Sequence, residues 1–259
     1  MASTKPAEGR RDTLPADVQK HDYVNGVFSE VCARYGFELM DGAEGFYKKL
    51  NNDDKSVESA AILAFVESLD RLGIKNFAIY LSHSDVLTGI LETLRLPETL
   101  HQKTFPAIRN FNKYNIEGFE SELHEVGVSE NASTLLSDLF LKTDEILNQE
   151  HDVNHTVVGN LLNIVGSETL MELGQIIRLI GNKPVLIDPA LPCESPFDHG
   201  IVIEARTSGL DNLGSGGCIK TADDSTLFAF SFEIENIVEL MEMSNAFPAA
   251  LAVSGPAAL

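Results

Sequence analysis

Ile201-Val202-Ile203-Glu204-Ala205-Arg206-Thr207-Ser208-Gly209-Leu210-Asp211-Asn212-Leu213-Gly214-Ser215-Gly216-Gly217-Cys218-Ile219 reads as short β-like runs separated by turn chemistry. The β-branched run Ile201-Val202-Ile203 and the pair Cys218-Ile219 are bounded by turn sets at Thr207 to Asp211 and at Gly214 to Gly217. Upstream lies Val185-Leu186-Ile187 and downstream Leu227 to Phe232, so the region after Gly181 predicts an antiparallel sheet built from hairpins. The next stretch, Ile234 to Met243, predicts a helix with Ile237, Val238, Leu240 and Met241 inward. From Phe247 the chain is rich in Ala and Pro, and disorder is expected.

Working back from the sheet, the pattern becomes helical. Leu14-Pro15-Ala16-Asp17 marks a helix start, and Val24, Val27, Phe28, Val31 and Tyr35 recur at helical spacing until Gly36, predicting a helix over 16–35. Phe37 to Leu50 reads as short and irregular, and Asn51 to Asp54 as a turn. A second helix buries Ala61, Ile62, Phe65, Val66, Leu69 and Leu72 and stops at Gly73; Phe77 to Leu81 alternates as a strand. A helix from Ser84 to Leu94 precedes Pro97, and the chain to Ile180 is mostly helical. The fold class is α+β. The domains expected are a flexible N-terminus (1–15), a core from 16–96 and 181–244, a helical insertion (97–180) and a disordered tail (245–259).

Composition narrows the function. The 259 residues carry 19 Lys plus Arg against 39 Asp plus Glu, a net charge of -20 that repels phosphate backbones. Cys32, Cys193 and Cys218 are far apart, in neither disulfide-framework nor zinc-knuckle spacing, which fits a reducing cytoplasm. The first nine residues are polar and no run approaches the ~18 apolar residues of a membrane span, so neither secretion nor insertion is expected.

The order of these elements resembles the catalytic core of histidyl-tRNA synthetase, a class II aminoacyl-tRNA synthetase. Gly9-Arg10-Arg11-Asp12-Thr13-Leu14-Pro15 is similar to the family's opening, and Arg34-Tyr35-Gly36-Phe37-Glu38 to the end of its motif 1 helix. Ser56-Val57-Glu58-Ser59-Ala60-Ala61-Ile62-Leu63 resembles its S-V-E-x-D-A-E-I-L segment, and Phe77 to Leu94 its approach to the insertion domain. The resemblance spreads over residues 9–243 as many weak words in order. It implies a truncated class II synthetase-like antiparallel sheet flanked by helices, with an inserted helical subdomain.

The chemical words of that family are altered here. The motif 1 proline position falls at Ala43, and about a dozen residues stand where motif 2 and its ATP-gripping arginine belong. The histidine-binding word R-G-L-D-Y-Y-T-G falls on Cys193-Glu194-Ser195-Pro196-Phe197-Asp198-His199-Gly200, placing Cys193 at the catalytic arginine. A guanidinium offers fixed donors to developing phosphate charge and a cysteine offers none. The second histidine word, G-G-R-Y-D, falls on Gly216-Gly217-Cys218-Ile219-Lys220, and the motif 3 arginine falls at Asn236 beside Glu235. The resemblance therefore implies a non-catalytic relative with no cofactor. Asp188, Glu204, Gly216, Gly217 and Glu235 would line what remains of the ligand pocket, holding a small amine or histidine or serving as sheet hydrogen-bonding groups.

Other features read blandly. His151 and His155 stand at i and i+4 with no evident third ligand, so a solvated face is expected and no metal. Gly214 to Gly217 precedes a strand and has no Lys-Ser/Thr partner, so it predicts a hairpin turn and no phosphate cradle. Cys193 and Cys218 lack an activating base in sequence and read as inert. Residues 117–152 hold ten acidic groups against Lys142 alone, a solvated face or a docking site for a basic partner. The chain ends soon after the motif 3 position, where a synthetase continues into an anticodon-binding domain. The expectation is a regulatory or scaffolding protein that works through a protein partner. By resemblance that partner is the catalytic subunit of ATP phosphoribosyltransferase, in histidine biosynthesis. A homo-oligomer, an uncharged-tRNA sensor and, last, an active ligase are the alternatives; tRNA binding is disfavoured by charge.

Overall fold

The β-like runs of the sequence come together in one sheet in the computed structural model, which describes residues 15–40, 45–50, 55–111, 115–147, 153–161, 164, 166–191, 197, 199–207, 209, 212–221 and 225–252. Its strands are β1 (Glu38–Leu39), β2 (Phe46–Leu50), β3 (Phe77–His83), β4 (Val185–Ile187), β5 (His199–Thr207), β6 (Asn212–Lys220) and β7 (Thr226–Phe232). They are ordered β1-β2-β7-β6-β5-β3-β4, and each neighbouring pair is antiparallel except β3 with β4. The parallel pair follows from connectivity, because the whole helical stretch of the chain intervenes between its two strands and returns it in the same direction. The result is an open, mostly antiparallel α+β sheet flanked by helices, with additional helical segments.

The glycine-rich stretch corrects the sequence reading. Gly214 to Gly217 form no turn; they lie inside β6, paired with both β5 and β7. Their missing side chains make room for aromatic ones. A Cβ on Gly216 would sit 2.4 Å from Phe230 Cβ, and one on Gly214 would sit 2.7 Å from Phe65 Cε1 and 2.3 Å from Ser231 O. Phe228, Phe230 and Phe232 alternate onto this face of β7 and are buried. Phe232 stacks on Phe28 with centroids 3.7 Å apart, and Phe230 meets Phe65 at 5.1 Å and Phe37 at 4.9 Å.

Two helices supply those rings. Helix α1 (Pro15–Arg34) carries Val24, Phe28, Val31 and Cys32 on its buried stripe and ends where Gly36 takes φ 78°. Helix α2 (Ser56–Arg71) carries Phe65 and stops at Gly73 with φ 81°. Between them the segment expected to be irregular forms the β1–β2 hairpin, whose Tyr47 packs on Phe230 and whose hydroxyl meets Ser29 Oγ at 3.1 Å. Aromatic partners across the sheet, invisible to local periodicity, stabilise it.

Helix α3 (Ser84–Thr93) follows β3 directly and is capped by His83, whose Nδ1 accepts from Asp85 N–H at 3.1 Å. Helices α4 (Glu98–Arg109), α5 (Ile116–Glu125), α6 (Glu130–Leu147), α7 (Val153–Leu161) and α8 (Ser167–Ile180) occupy the stretch expected to be helical. Phe111, Phe119 and Phe140 form an aromatic triad among α4, α5 and α6. Helix α7 reaches the outer edge of β4, where Asn154 donates to Val185 O and accepts from Ile187 N–H, both at 2.8 Å. Helix α8 packs along α2 and β3. Helix α9 (Ile234–Met243) follows β7, and the short α10 (Ala249–Ala252) lies against α1. Within the tail from 245, Phe247 is buried against Tyr23 and the described residues continue through α10 to Ala252. Residues 1–14 and 253–259 lie outside the described residues.

Two stability outcomes follow. Gly216→Ala forces a Cβ into Phe230 and should cost about 1–3 kcal/mol, whereas Gly174→Ala, in α8 with nothing within 4 Å, should gain about 0.5–1 kcal/mol; urea unfolding of both variants measures the contrast. Burial holds the His83 imidazole below its ordinary 6.5, with Asp85 and Glu172 opposing and Lys55 adding to the effect. The folded state therefore binds this proton less readily, so the His83 contribution is complete above pH 6.5 and is lost as pH falls below it. His83→Asn keeps a capping acceptor and should flatten that part of the stability–pH curve.

Candidate functional site

Strand alternation places Ala78 and Tyr80 of β3 and Val202, Glu204 and Arg206 of β5 on the face of the sheet opposite the aromatic ladder. Arg206 organises the polar part of that face. Its Nε donates to Glu204 Oε1 at 2.6 Å, its Nη1 lies 3.7 Å from Asp188 Oδ2, and its guanidinium sits 4.7 Å from the centroid of the Tyr80 ring. Glu204 is two residues away on the same strand, and Tyr80 is the residue directly across from Glu204, so register alone brings the three together.

Asp188 arrives from the end of β4. Its N–H donates to Leu81 O at 2.9 Å and its Oδ1 accepts from Ala190 N–H at 2.9 Å, an Asx turn that fixes the carboxylate. It is 7% exposed, and burial pushes its carboxyl above the usual range against the pull of Arg206 and the Ala190 N–H. Burial works against the Arg206 charge too, but the Glu204 hydrogen bond and the two carboxylates outweigh it and raise its pKa. The Tyr80 phenol is also pushed up by burial, with Arg206 opposing.

These groups form one wall of a cavity of about 430 Å³ between the start of β3, the end of β5 and helices α4 and α6. Across from them stand Phe111, Phe140, Thr143 and Asp144, while Lys75 and Arg109 also line the space. Lys75, Arg109 and Arg206 stand among Asp144, Asp188, the Glu204 held on Arg206 and the Asp70 held on Lys75, so the site carries no excess of positive charge. Such a site favours a partly apolar, net-neutral occupant over a polyanion.

The residues singled out by sequence are distributed. Asp188 and Glu204 share Arg206. Gly217 lies on the same sheet face, where a Cβ would come 2.8 Å from Phe197 Cβ. Gly216 and Cys218 alternate onto the opposite face, Gly216 under Phe230 and Cys218 buried beside Gly200. Glu235 and Asn236 are exposed on the first turn of α9, and Asn236 donates its amide to Asn212 O at 2.8 Å. Cys193 and His151 lie outside the described residues, as does the side chain of His155. No group of three or more His, Cys, Asp or Glu able to hold a metal occurs among the described residues. Burial pushes the Cys32 thiol up to about 12, leaving it protonated in the core. Sequence reading missed Tyr80 and Arg206; the signal was the Glu204-Ala205-Arg206 alternation, which puts an unusual charge pair on one face of an otherwise apolar strand.

Comparison with known proteins places this architecture. Histidine–tRNA ligase of Treponema denticola is 19% identical over 172 residues, covering 65% of this chain and 38% of the ligase, and that of Rhodopirellula baltica is 24% identical over 186 residues, covering 66% and 41%. The chain therefore spans about two-fifths of the length of these relatives. Histidyl-tRNA synthetase from Nostoc superposes with a TM-score of 0.74 at 14% identity, covering 96% of this chain and 77% of that one. A Bacillus halodurans protein described as ATP phosphoribosyltransferase regulatory subunit/histidyl-tRNA synthetase superposes with a TM-score of 0.66 at 14% identity, covering 91% and 84%. No family model matches the chain. These likenesses show that the fold is shared with those structures, and no helix among the described residues is long and apolar enough to cross a membrane.

Replacing Arg206 with Met leaves Asp188 and Glu204 without their common cation. The expected loss at pH 7 is about 3–5 kcal/mol. It should shrink as pH falls from neutrality into the acidic range, because burial makes Asp188 take a proton more readily than an ordinary carboxylate, and the protonated group no longer needs a counter-charge. Urea titrations of Arg206→Met and the parent across that range measure this.

Proposed function

We propose that the chain is a non-catalytic regulatory or scaffolding protein of the histidyl-tRNA synthetase type that acts on a protein partner, and that this partner is the catalytic subunit of ATP phosphoribosyltransferase. The observation that carries the reading is the fold likeness to the Bacillus halodurans protein, which extends over 91% of this chain and 84% of that one. The sequence supports the absence of catalysis, since Cys193, Cys218 and Asn236 stand where the resemblance puts arginines. Aminoacyl activation depends on positioning cations at developing phosphate charge, and three neutral side chains do not supply it. Two of those positions also have other uses: Cys218 packs on the helical side of the sheet, and Asn236 is held by Asn212 O. The interval that would hold motif 2 contains the β1–β2 hairpin, whose Tyr47 is committed to the aromatic core. A net charge of -20 favours a basic protein surface over tRNA as the docking partner.

The test mixes the chain with the phosphoribosyltransferase catalytic subunit and follows gel filtration together with the phosphoribosyl transfer rate. Co-elution with a changed rate is expected, and histidine-dependent ATP–pyrophosphate exchange by the chain alone should stay at background. Separate elution with an unaltered rate removes the partner assignment. Exchange above background removes the non-catalytic reading.

A further inference from the structure

The cavity beside Arg206 has a polar arrangement that the partner role does not use. Arg206 Nε is spent on Glu204, but Arg206 Nη1 and Asp188 Oδ2 stand 3.7 Å apart, too far to close a hydrogen bond on each other. Asp188 Oδ1 is taken by the Ala190 N–H. Outer guanidinium nitrogens, one carboxylate oxygen and the Tyr80 hydroxyl are thus left without a hydrogen bond to described residues, in three side chains that line one cavity. A donor and an acceptor open side by side on a cavity wall can be bridged by one ligand edge that offers both an acceptor and a donor.

We infer that the cavity binds a flat, uncharged heteroaromatic ring with a lactam or carboxamide edge. Such an edge sets a carbonyl beside an N–H, so the carbonyl accepts from Arg206 while the N–H donates to Asp188. The Tyr80, Phe111 and Phe140 rings give the ligand apolar and aromatic walls, and the volume of about 430 Å³ falls within the range of small-molecule pockets. Charge selects against other classes. A phosphate or a bare carboxylate placed on Arg206 would meet Asp188 and Glu204 at the same point, and a bare ammonium placed on Asp188 would meet Arg206. None of these groups belongs to β6 or α9, so the inference stands or falls independently of the partner assignment.

Isothermal titration of the full chain with isoquinolin-1(2H)-one, isoquinoline and isoquinoline-1-carboxylate tests the assignment, because the three share a ring system and differ in the edge. The lactam should bind at one site per chain at least about tenfold more tightly than either analogue, in keeping with an open donor–acceptor pair being satisfied. Ala78→Phe, which fills the floor of the cavity opposite Arg206, should abolish that binding while leaving the far-ultraviolet circular dichroism of the chain unchanged. Equal binding of lactam and isoquinoline, no binding of any ring, or lactam binding that survives Ala78→Phe overturns the inference. If Ala78→Phe does not fold, nuclear Overhauser contacts between bound lactam and the Tyr80 and Phe111 rings decide: their presence supports the site, and binding without them refutes it.

Discussion

The close approach of aromatic rings to the glycines of β6 is the constraint on which the structure rests. Gly214 and Gly216 let Phe65 and Phe230 lie against the β6 backbone, and that plane then receives Phe28 from α1, Phe37 from the following turn and Tyr47 from β2. Aromatic contacts of this kind combine large buried area with defined geometry. They lock two helices and the outer hairpin to the centre of the sheet in one register. The opposite face is thereby freed from carrying the main core, and it can hold Tyr80, Glu204 and Arg206 beside the helical segments.

That division of labour lets an open α+β sheet keep its packing on one face while the residues of the other face are free to vary. The helical side is defined by shape, so substitutions there are felt at once as clashes or voids. On the cavity side, Arg206 with its two carboxylates is a local arrangement fixed by strand register and one Asx turn. A fold likeness at 14% identity is consistent with this, since packing against the β6 backbone demands volume and period more than particular residues.

Much of the fold was legible in the sequence. Helices at 15–34 and 56–71, the strand from Phe77 and the strands at 185–187 and 226–232 announced themselves through period and punctuation. The glycine stretch misled because Gly serves both turns and close backbone approach, and only the cross-strand neighbour tells which. The β1–β2 hairpin and the burial of Phe247 were hidden for the same reason: Tyr47 and Phe247 are held by Phe230 and Tyr23, far away in sequence. Of the site, Asp188 and Glu204 could be read from the residues, but Arg206 and Tyr80 join them through register, and the facing wall of α4 and α6 through tertiary packing, neither of which one strand reveals.

The amide of Asn154 mimics a neighbouring strand for β4, meeting a carbonyl and an N–H that would otherwise face outward. Because it comes from a helix 31 and 33 residues earlier in the chain, the seal exists only once α7 has docked. Until then β4 presents a short adhesive rim to other chains. The interval before docking is when the growing molecule is most exposed to mispairing with its own copies, and crowding during synthesis, rather than the stability of the finished fold, would set how often that happens.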